Sequence, residues 1–371
     1  MGTSIRTHFE KLEDPRDRRG RRHLLSDMFV IALCAVICGA DNWKAVSTFG
    51  KAKRKWFKSF LELPHGIPSH YTFDRVFARL NPESLEQCFA EWMRALSRTG
   101  NRLIAIDGKT LRRSFDGANS KAAIHMVSAW ASANSVCLGQ LATDAKSNEI
   151  TAIPKLLELL DLVGATVTID AMGCQKDIAA KIVARGGDYV LAVKDNQPTL
   201  HEEIKLFLDD QIAVPSKAFT IHAHEETDGG HGRIEIRRAW VTPNVEWFEN
   251  LRDWPGLKCF AAVECERTAN GKTTTERRYF ISSLDGSDAQ FLAAAVRSHW
   301  GIENKLHWVL DIAFREDESR IRKGHGAENL SRLRRIALNL LKRETTEKLG
   351  IANKRLLAGW DHDYLLKLVT G

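Results

Sequence analysis

Leu103-Ile104-Ala105-Ile106-Asp107-Gly108-Lys109 is the stretch on which the fold turns. Four apolar residues run into a carboxylate and a glycine, too short for a helix, so residues 103–107 predict a buried strand. A second segment of the same design, Ala165-Thr166-Val167-Thr168-Ile169-Asp170, predicts another. Between them lie two strand-like runs, residues 124–130 and 137–141, with Ala133, Asn134 and Ser135 at the turn joining them. Helix and strand then alternate. Ile153, Leu156, Leu157 and Leu160 mark a helix ended by Gly164; residues 175–185 form the next, ended by Gly186 and Gly187; residues 189–193 are a strand.

Three strands followed by helix, strand, helix, strand predict an α/β fold with a mixed sheet, in the order of a ribonuclease H-like core. That core should close with a helix. The sequence instead inserts strand-like pieces at 218–222, 233–241, 258–264 and 277–284, and only then offers a long helix over 289–315. The first hundred residues predict an all-α region. Phe73, Val76, Phe77 and Leu80 follow helical spacing behind Ser69 or Thr72 as cap. Asn81 and Pro82 open a second helix carrying Leu85, Phe89, Trp92, Met93 and Leu96, which Gly100 ends. Two such helices could read a DNA groove or simply pack. The expected organisation is a helical, basic region at 1–99, a ribonuclease H-like domain at 100–343 with an inserted β-subdomain at 215–287, and a C-terminal tail at 344–371.

The chain has 371 residues, 44% apolar and 27% charged, which excludes a disordered or fibrous protein. The longest apolar run, residues 28–40, falls well short of the roughly 20 a membrane span needs and reads as a buried helix. Seven cysteines without CxxC pairs, and no signal segment, fit a reducing cytoplasm. The net charge of +7 is carried by residues 1–60, which hold 13 Lys and Arg against 6 Asp and Glu; the remainder is balanced at 41 of each. Its densest clusters are Arg16, Arg18, Arg19, Arg21, Arg22, and Lys51, Lys53, Arg54, Lys55, Lys58 with Trp56 and Phe57 among them. A basic, aromatic-bearing segment beside a neutral body suits a phosphate backbone, although a solvated cationic face has the same composition.

Asp107 and Asp170 each close a strand. If those strands are neighbours, about 4.8 Å apart, both carboxylates emerge at the carboxyl edge where open α/β sheets hold ligands. An Asp in that position also serves as a turn or cap residue; a matched pair is the stronger signal. Glu303 lies in His299-Trp300-Gly301-Ile302-Glu303-Asn304-Lys305-Leu306-His307-Trp308. Ile302, Leu306, Val309, Leu310 and Ala313 form the buried stripe of that helix, which places Glu303 at its border, where Arg297 or Lys305 could pair with it. His299, Glu303, His307 and Asp311 share one face, but four points on one helix cannot surround a tetrahedral zinc. His222, His224 and His231 lie in a Gly-rich stretch, either as metal ligands or on an exposed hairpin.

Ile-Asp-Gly-Lys-Thr-Leu-Arg from Ile106, Thr-Ile-Asp-Ala-Met-Gly-Cys-Gln from Thr168, Val-Lys-Asp-Asn-Gln from Val193 and the Glu303 segment through Asp311 together resemble the H-repeat-associated, ISAs-type insertion-sequence transposases of the DDE superfamily. Asp14-Pro15-Arg16 and Pro-Ser-His-Tyr-Thr-Phe-Asp-Arg from Pro68 resemble the N-terminal region that accompanies them. The similarity covers nearly the whole chain. It implies that Asp107, Asp170 and Glu303, 63 and 133 residues apart, are a catalytic triad. Relatives carry Tyr, Arg and Lys seven before, four before and seven after the Glu; Val296, His299 and Leu310 stand there in this sequence, and only His299 could touch phosphate.

The resemblance implies two Mg²⁺ ions, with Mn²⁺ as a substitute, held by the triad; cleavage at insertion-sequence ends; and transfer of the freed 3′-OH into target DNA. Its expected partners are double-stranded DNA, as transposon ends and target, and at least a second copy of the chain, at the bacterial nucleoid and without a membrane. Candidates for DNA contact are Arg18, Arg19, Arg21, Arg22, Lys53, Arg54, Lys55, Lys109, Arg112, Lys194, Gln197, His299, and Arg332 and Arg335 on a helix over 327–343 whose second face also carries Lys342 and Arg343. Trp240, Trp247 and Trp254 either stack on a base or pack in the core. Two other readings remain: a catalytically silent, transposase-derived DNA-binding protein, and a nuclease or resolvase on the same core.

Overall fold

The computed structural model describes residues 5–96, 102–115, 122–143, 149–230 and 232–370. Helices α1 (Ile5–Phe9), α2 (Leu25–Ile37), α3 (Trp43–Ala52), α4 (Arg54–Phe57), α5 (His70–Arg79) and α6 (Pro82–Leu96) precede strands β1 (Arg102–Thr110), β2 (His125–Ala131) and β3 (Val136–Thr143). Then come α7 (Glu149–Leu159), β4 (Ala165–Ile169), α8 (Lys176–Ala184), β5 (Asp188–Val193) and α9 (Pro198–Ala213). Strands β6 (His222–Gly230), β7 (Arg233–Thr242), β8 (Cys259–Ala269) and β9 (Lys272–Ser282) lead to α10 (Ala289–Ile302), α11 (Trp308–Ile312), α12 (Gly326–Arg343), α13 (Ile351–Trp360) and α14 (His362–Thr370). The fold is mixed α/β, with a large mixed sheet and an N-terminal helical region. Among the described residues no helix is long and apolar enough to cross a membrane. Gly100, expected to end α6, lies outside the described residues.

The chain forms two compact units. The first comprises Met1–Thr99, Gly108–Asn148 and Glu303–Gly371. Its centre is α2, where every residue from Met28 to Ile37 is at most 6% exposed, so the apolar run is a helix buried on all sides, packed by α3 and α12. Polar side chains secure the helix ends, whose carbonyls and N–H groups have no partner within the helix. Ser69 caps α5 by accepting from Thr72 N–H, and Asn81 caps α6 by accepting from Glu83 and Ser84. Asn329 of α12 donates to the carbonyls of Phe77 and Leu80 at the end of α5, and Arg355 of α13 donates to those of Val36 and Ile37 at the end of α2. Strands β2 and β3 form an antiparallel hairpin in strand order β3-β2-β1, turning at Ser135.

The second unit comprises Gly100–Asp107 and Glu149–Ile302. Its strands run β1-β4-β5-β9-β8-β7-β6: the first three are parallel, and from β5 to β6 each pair is antiparallel. Ala289, Leu292, Ala295 and Val296 of α10 pack on Val190, Val241, Ala261 and Phe280 of the sheet.

Two expectations need correction here. A helix, α9, intervenes between β5 and the later strands, with Pro198 in its first turn and Leu200, Ile204 and Leu208 buried at four-residue steps. The strand expected at 218–222 forms instead over His222–Gly230. That segment is polar and only half-buried or exposed, so no apolar alternation announces it; pairing with β7, from His222↔Val241 to Gly230↔Arg233, makes it a strand.

Candidate active site

Asp107 and Asp170 meet through register. In the parallel pair β1–β4, Ile106 lies opposite Ile169, so the residue after each is a carboxylate where that pairing ends; Asp170 closes β4, but β1 runs on through Asp107 to Thr110, which corrects the expectation that Asp107 closes its strand. Asp170 there starts a single 3-10 turn, Ala171–Gly173, accepting from Met172 N–H at 3.1 Å and Gly173 N–H at 3.4 Å. Gly173 is required by the close approach of the turn to its own strand, since a Cβ would collide with Ile169 Cγ2. Burial pushes the Asp170 carboxyl above its usual range, and the carboxylates of Asp107 and Glu149 push it further; the Gly173 N–H and His299 oppose them.

His299, on α10, is fixed by a 3.0 Å hydrogen bond between its Nδ1 and the Thr168 hydroxyl, two residues before Asp170 on β4. Burial lowers its pKa against the pull of Asp107 and Asp170. Thr168 escaped the sequence reading because a Thr on a buried strand looks like a β-former rather than an imidazole anchor. Val296 is core.

Glu303 belongs to the first unit and continues α10 directly. The unbroken helix expected over 289–315 is corrected: residues Glu303–His307 form a π-helical turn, α11 follows, and the helix ends at Ile312. Such turns insert a residue into the helical ladder and recur at functional sites. The wider turn removes the regular four-residue face of His299, Glu303, His307 and Asp311. Glu303 is exposed rather than lodged at a packed border, and neither proposed partner reaches it: Arg297 binds Glu226 and Asp228 at 3.0 and 2.6 Å, and among the described residues Glu303 makes no ion pair. His307 shares the turn and is 2% exposed; Leu310 is fully buried.

The basic candidates divide sharply. Arg18, Arg19, Arg21, Arg22, Arg54, Lys55, Lys194 and Arg112 are exposed, Arg112 within 3.2 Å of Asp317. The Asp14–Arg16 ion pair shapes the loop beneath Arg18–Arg22, and Arg21 donates to the carbonyls of Asp14 and Arg16. Lys53 is half-buried and donates to the Gly359 carbonyl, and Gln197 donates to that of Cys174.

Three candidates are corrected by burial. Arg332 and Arg335 are 0% exposed, Arg332 bound to Glu86 and Glu328 at 2.8 Å each and Arg335 to Glu316 at 3.0 Å. The face of α12 expected to offer charge to DNA is therefore internal, with its cations neutralised by acids from elsewhere in the chain. Lys342, on the same helix, lies 4.1 Å from the Trp130 ring centre and donates to the Lys305 carbonyl. Lys109 is 10% exposed and surrounded by Asp311, Glu316 and Asp317. Of the tryptophans, Trp254 is core, Trp247 stacks on Phe207, and Trp240 lies under the Arg277 guanidinium. His222 and His224 lie on β6, and His231 is outside the described residues.

Known proteins match along nearly the full length. Residues 6–93 match the DDE_Tnp_1-associated family and residues 98–340 the family described as Transposase DDE domain. The "H repeat-associated putative transposase YhhI" of Escherichia coli (strain K12) is 39% identical over 376 residues, covering 98% of this chain and 97% of that protein. The "Putative transposase YncI" of Escherichia coli O157:H7 is 43% identical over 362 residues, covering 95% and 90%. An "Uncharacterized protein in dhlA 3'region" of Xanthobacter autotrophicus is 46% identical over 279 residues, covering 74% and 92%. With its catalytic-domain family matched around the paired aspartates and the associated family matched over the helical region, the chain belongs to the DDE transposases, as one of their H repeat-associated members.

Proposed function

We propose that this protein is a metal-dependent DNA transposase in which Asp107, Asp170 and Glu303 hold the divalent ions, cleaving insertion-sequence ends and joining the freed 3′-OH to target DNA. The observation that carries the reading is the register of β1 and β4, in which each of the last paired residues, Ile106 and Ile169, is followed by an aspartate. The order β3-β2-β1-β4-β5, with helices between the parallel strands, supports a ribonuclease H-like core. Like charges so placed and partly buried favour a bound cation; burial, and then the repulsion of Asp107, raises the pKa of Asp170. The ligand set is all carboxylate, the choice of hard ions such as Mg²⁺ or Mn²⁺ rather than zinc.

When bound, a pair of such ions lowers the pKa of the attacking water and stabilises charge on the phosphate. The protein's own groups do the rest. Met172 and Gly173 N–H groups orient Asp170. Thr168 fixes the imidazole of His299 beside the aspartates, where its second nitrogen can meet a phosphate oxygen. Glu303, which makes no ion pair among the described residues, is available as the third ligand, and the π turn gives its backbone a local adjustment that a regular helix lacks. Exposed Arg18, Arg19, Arg21, Arg22, Arg54 and Lys55 serve as phosphate contacts for duplex DNA, and two ends brought together require at least a dimer.

The test is end cleavage and strand transfer on DNA carrying the element's termini, with Mg²⁺ or Mn²⁺. Wild type should give 3′-OH ends and joined products flanked by target duplications; Asp107→Asn and Asp170→Asn should give neither while retaining DNA binding. Cleavage unchanged in both variants would remove the catalytic assignment, and cleavage without joining would favour a nuclease.

A further inference from the structure

Lys109 stands two residues beyond Asp107 on β1, and the period-2 alternation of a strand turns both side chains to one face. Its ammonium, 10% exposed, meets Asp311 in a close ion pair, Asp317 at 3.6 Å and Glu316 at 3.7 Å. The ammonium donates to Asp311 and has two further carboxylates at ion-pair distance, so its charge is already matched within the protein. All three acids lie on the segment that continues the helix of Glu303. Asp311 is on α11, and Glu316 and Asp317 follow the backward turn made at Arg315, whose φ of 52° is left-handed. Glu316 is in turn locked to α12 by Arg335 and the Ser331 hydroxyl, both at 3.0 Å. An exposed ion pair contributes little, but this cluster is largely withdrawn from water and crowded with complementary charge.

We propose that Lys109 is a positioning residue: it ties the end of β1 to the segment that continues the π turn of Glu303 and so fixes the placement of the Glu303 carboxylate as a ligand for divalent ions. The inference rests on the metal-dependent reading above and replaces the expectation that Lys109 contacts DNA.

The experiment titrates Mn²⁺ alone into the full-length protein, with free Mn²⁺ read by its paramagnetic resonance signal, for wild type, Lys109→Met, Lys109→Arg and Asp311→Asn. Binding to end-containing DNA in EDTA is measured alongside. Lys109→Met and Asp311→Asn should each weaken Mn²⁺ binding about 10- to 100-fold, the range found when the supports of metal ligands are removed. Lys109→Arg should recover part of it, and DNA affinity in EDTA should not change. Unaltered Mn²⁺ affinity in both weakening variants overturns the proposal. So does lost DNA affinity with intact Mn²⁺ binding in Lys109→Met, which would make Lys109 a phosphate contact. Should Lys109→Met fail to fold, Asp311→Asn decides, since Asp311 is 31% exposed and better placed to tolerate change. Failure of the underlying metal reading looks different: Mn²⁺ binding would then be insensitive to Asp107→Asn in an otherwise wild-type chain.

Discussion

Asp170 and Glu316 are both withdrawn from water, and the protein treats them in opposite ways. At the end of β4, burial raises the Asp170 pKa, and its neighbours Asp107 and Glu149 raise it again. Beneath α12, burial would likewise raise Glu316, yet Arg335, Lys109 and Arg334 hold it down to about 2. One carboxyl is raised by burial and neighbouring acids, and the other is neutralised from within. A structural cluster closes its own electrostatics, whereas a binding site keeps a deficit for its ligand to fill. The same rule sorts the cations: those already matched by acids are architecture, and those facing water remain available to phosphate.

Three measurements put this contrast to the test. The largest effect should come from Asp170→Asn. Losing several kcal/mol of charge stabilisation should lower end cleavage at least about 10³-fold, while the thermal midpoint holds or rises as like-charge repulsion is relieved. A variant that unfolds earlier yet cleaves normally would make Asp170 architectural instead.

Next is Glu316→Gln, which strands Arg335 and Arg334 in the interior and should lower the urea-measured unfolding free energy by about 3–5 kcal/mol. Because its folded pKa is depressed, ionised Glu316 stabilises the protein above the ordinary carboxylate range. That contribution should fade as pH falls from about 4.5 toward about 2, and the Gln variant should lack this part of the acid-unfolding curve. A loss below about 1 kcal/mol would show that the buried network contributes little.

The smallest effect belongs to the exposed cations. Arg54→Ala combined with Lys55→Ala should reduce the slope of log affinity against log salt by about 2, leaving cleavage at saturating DNA unchanged. An unaltered slope would place the DNA elsewhere.

How far the sequence discloses this molecule can be followed residue by residue. The apolar strands leading into Asp107 and Asp170 were legible because a short apolar run and its β-branched residues are local properties, although β1 runs on past Asp107 to Thr110. Caps at Ser69 and Asn81 were legible for the same reason. The strand His222–Gly230 was not, since its polar residues carry no inward pattern. Nor was the π turn at Glu303–His307, because it preserves the apolar stripe that announces the helix while altering its phase. Arg332 and Arg335 misled most: on a helical wheel they form the charged face of α12, and nothing nearby in sequence shows where that face points.

What the sequence alone determined is the run of strands and helices from residue 103 to 193, the helical character of the basic N-terminal region, and the carboxylates eligible for chemistry, because each follows from a few neighbouring residues. Tertiary structure alone decided which charges are spent inside the protein. Glu86 reaches Arg332 across 246 residues, and Lys109 reaches Asp311 across 202. Whether a charged side chain faces water or an opposite charge depends on what else the fold brings to within a few ångströms, and no local pattern records that distance.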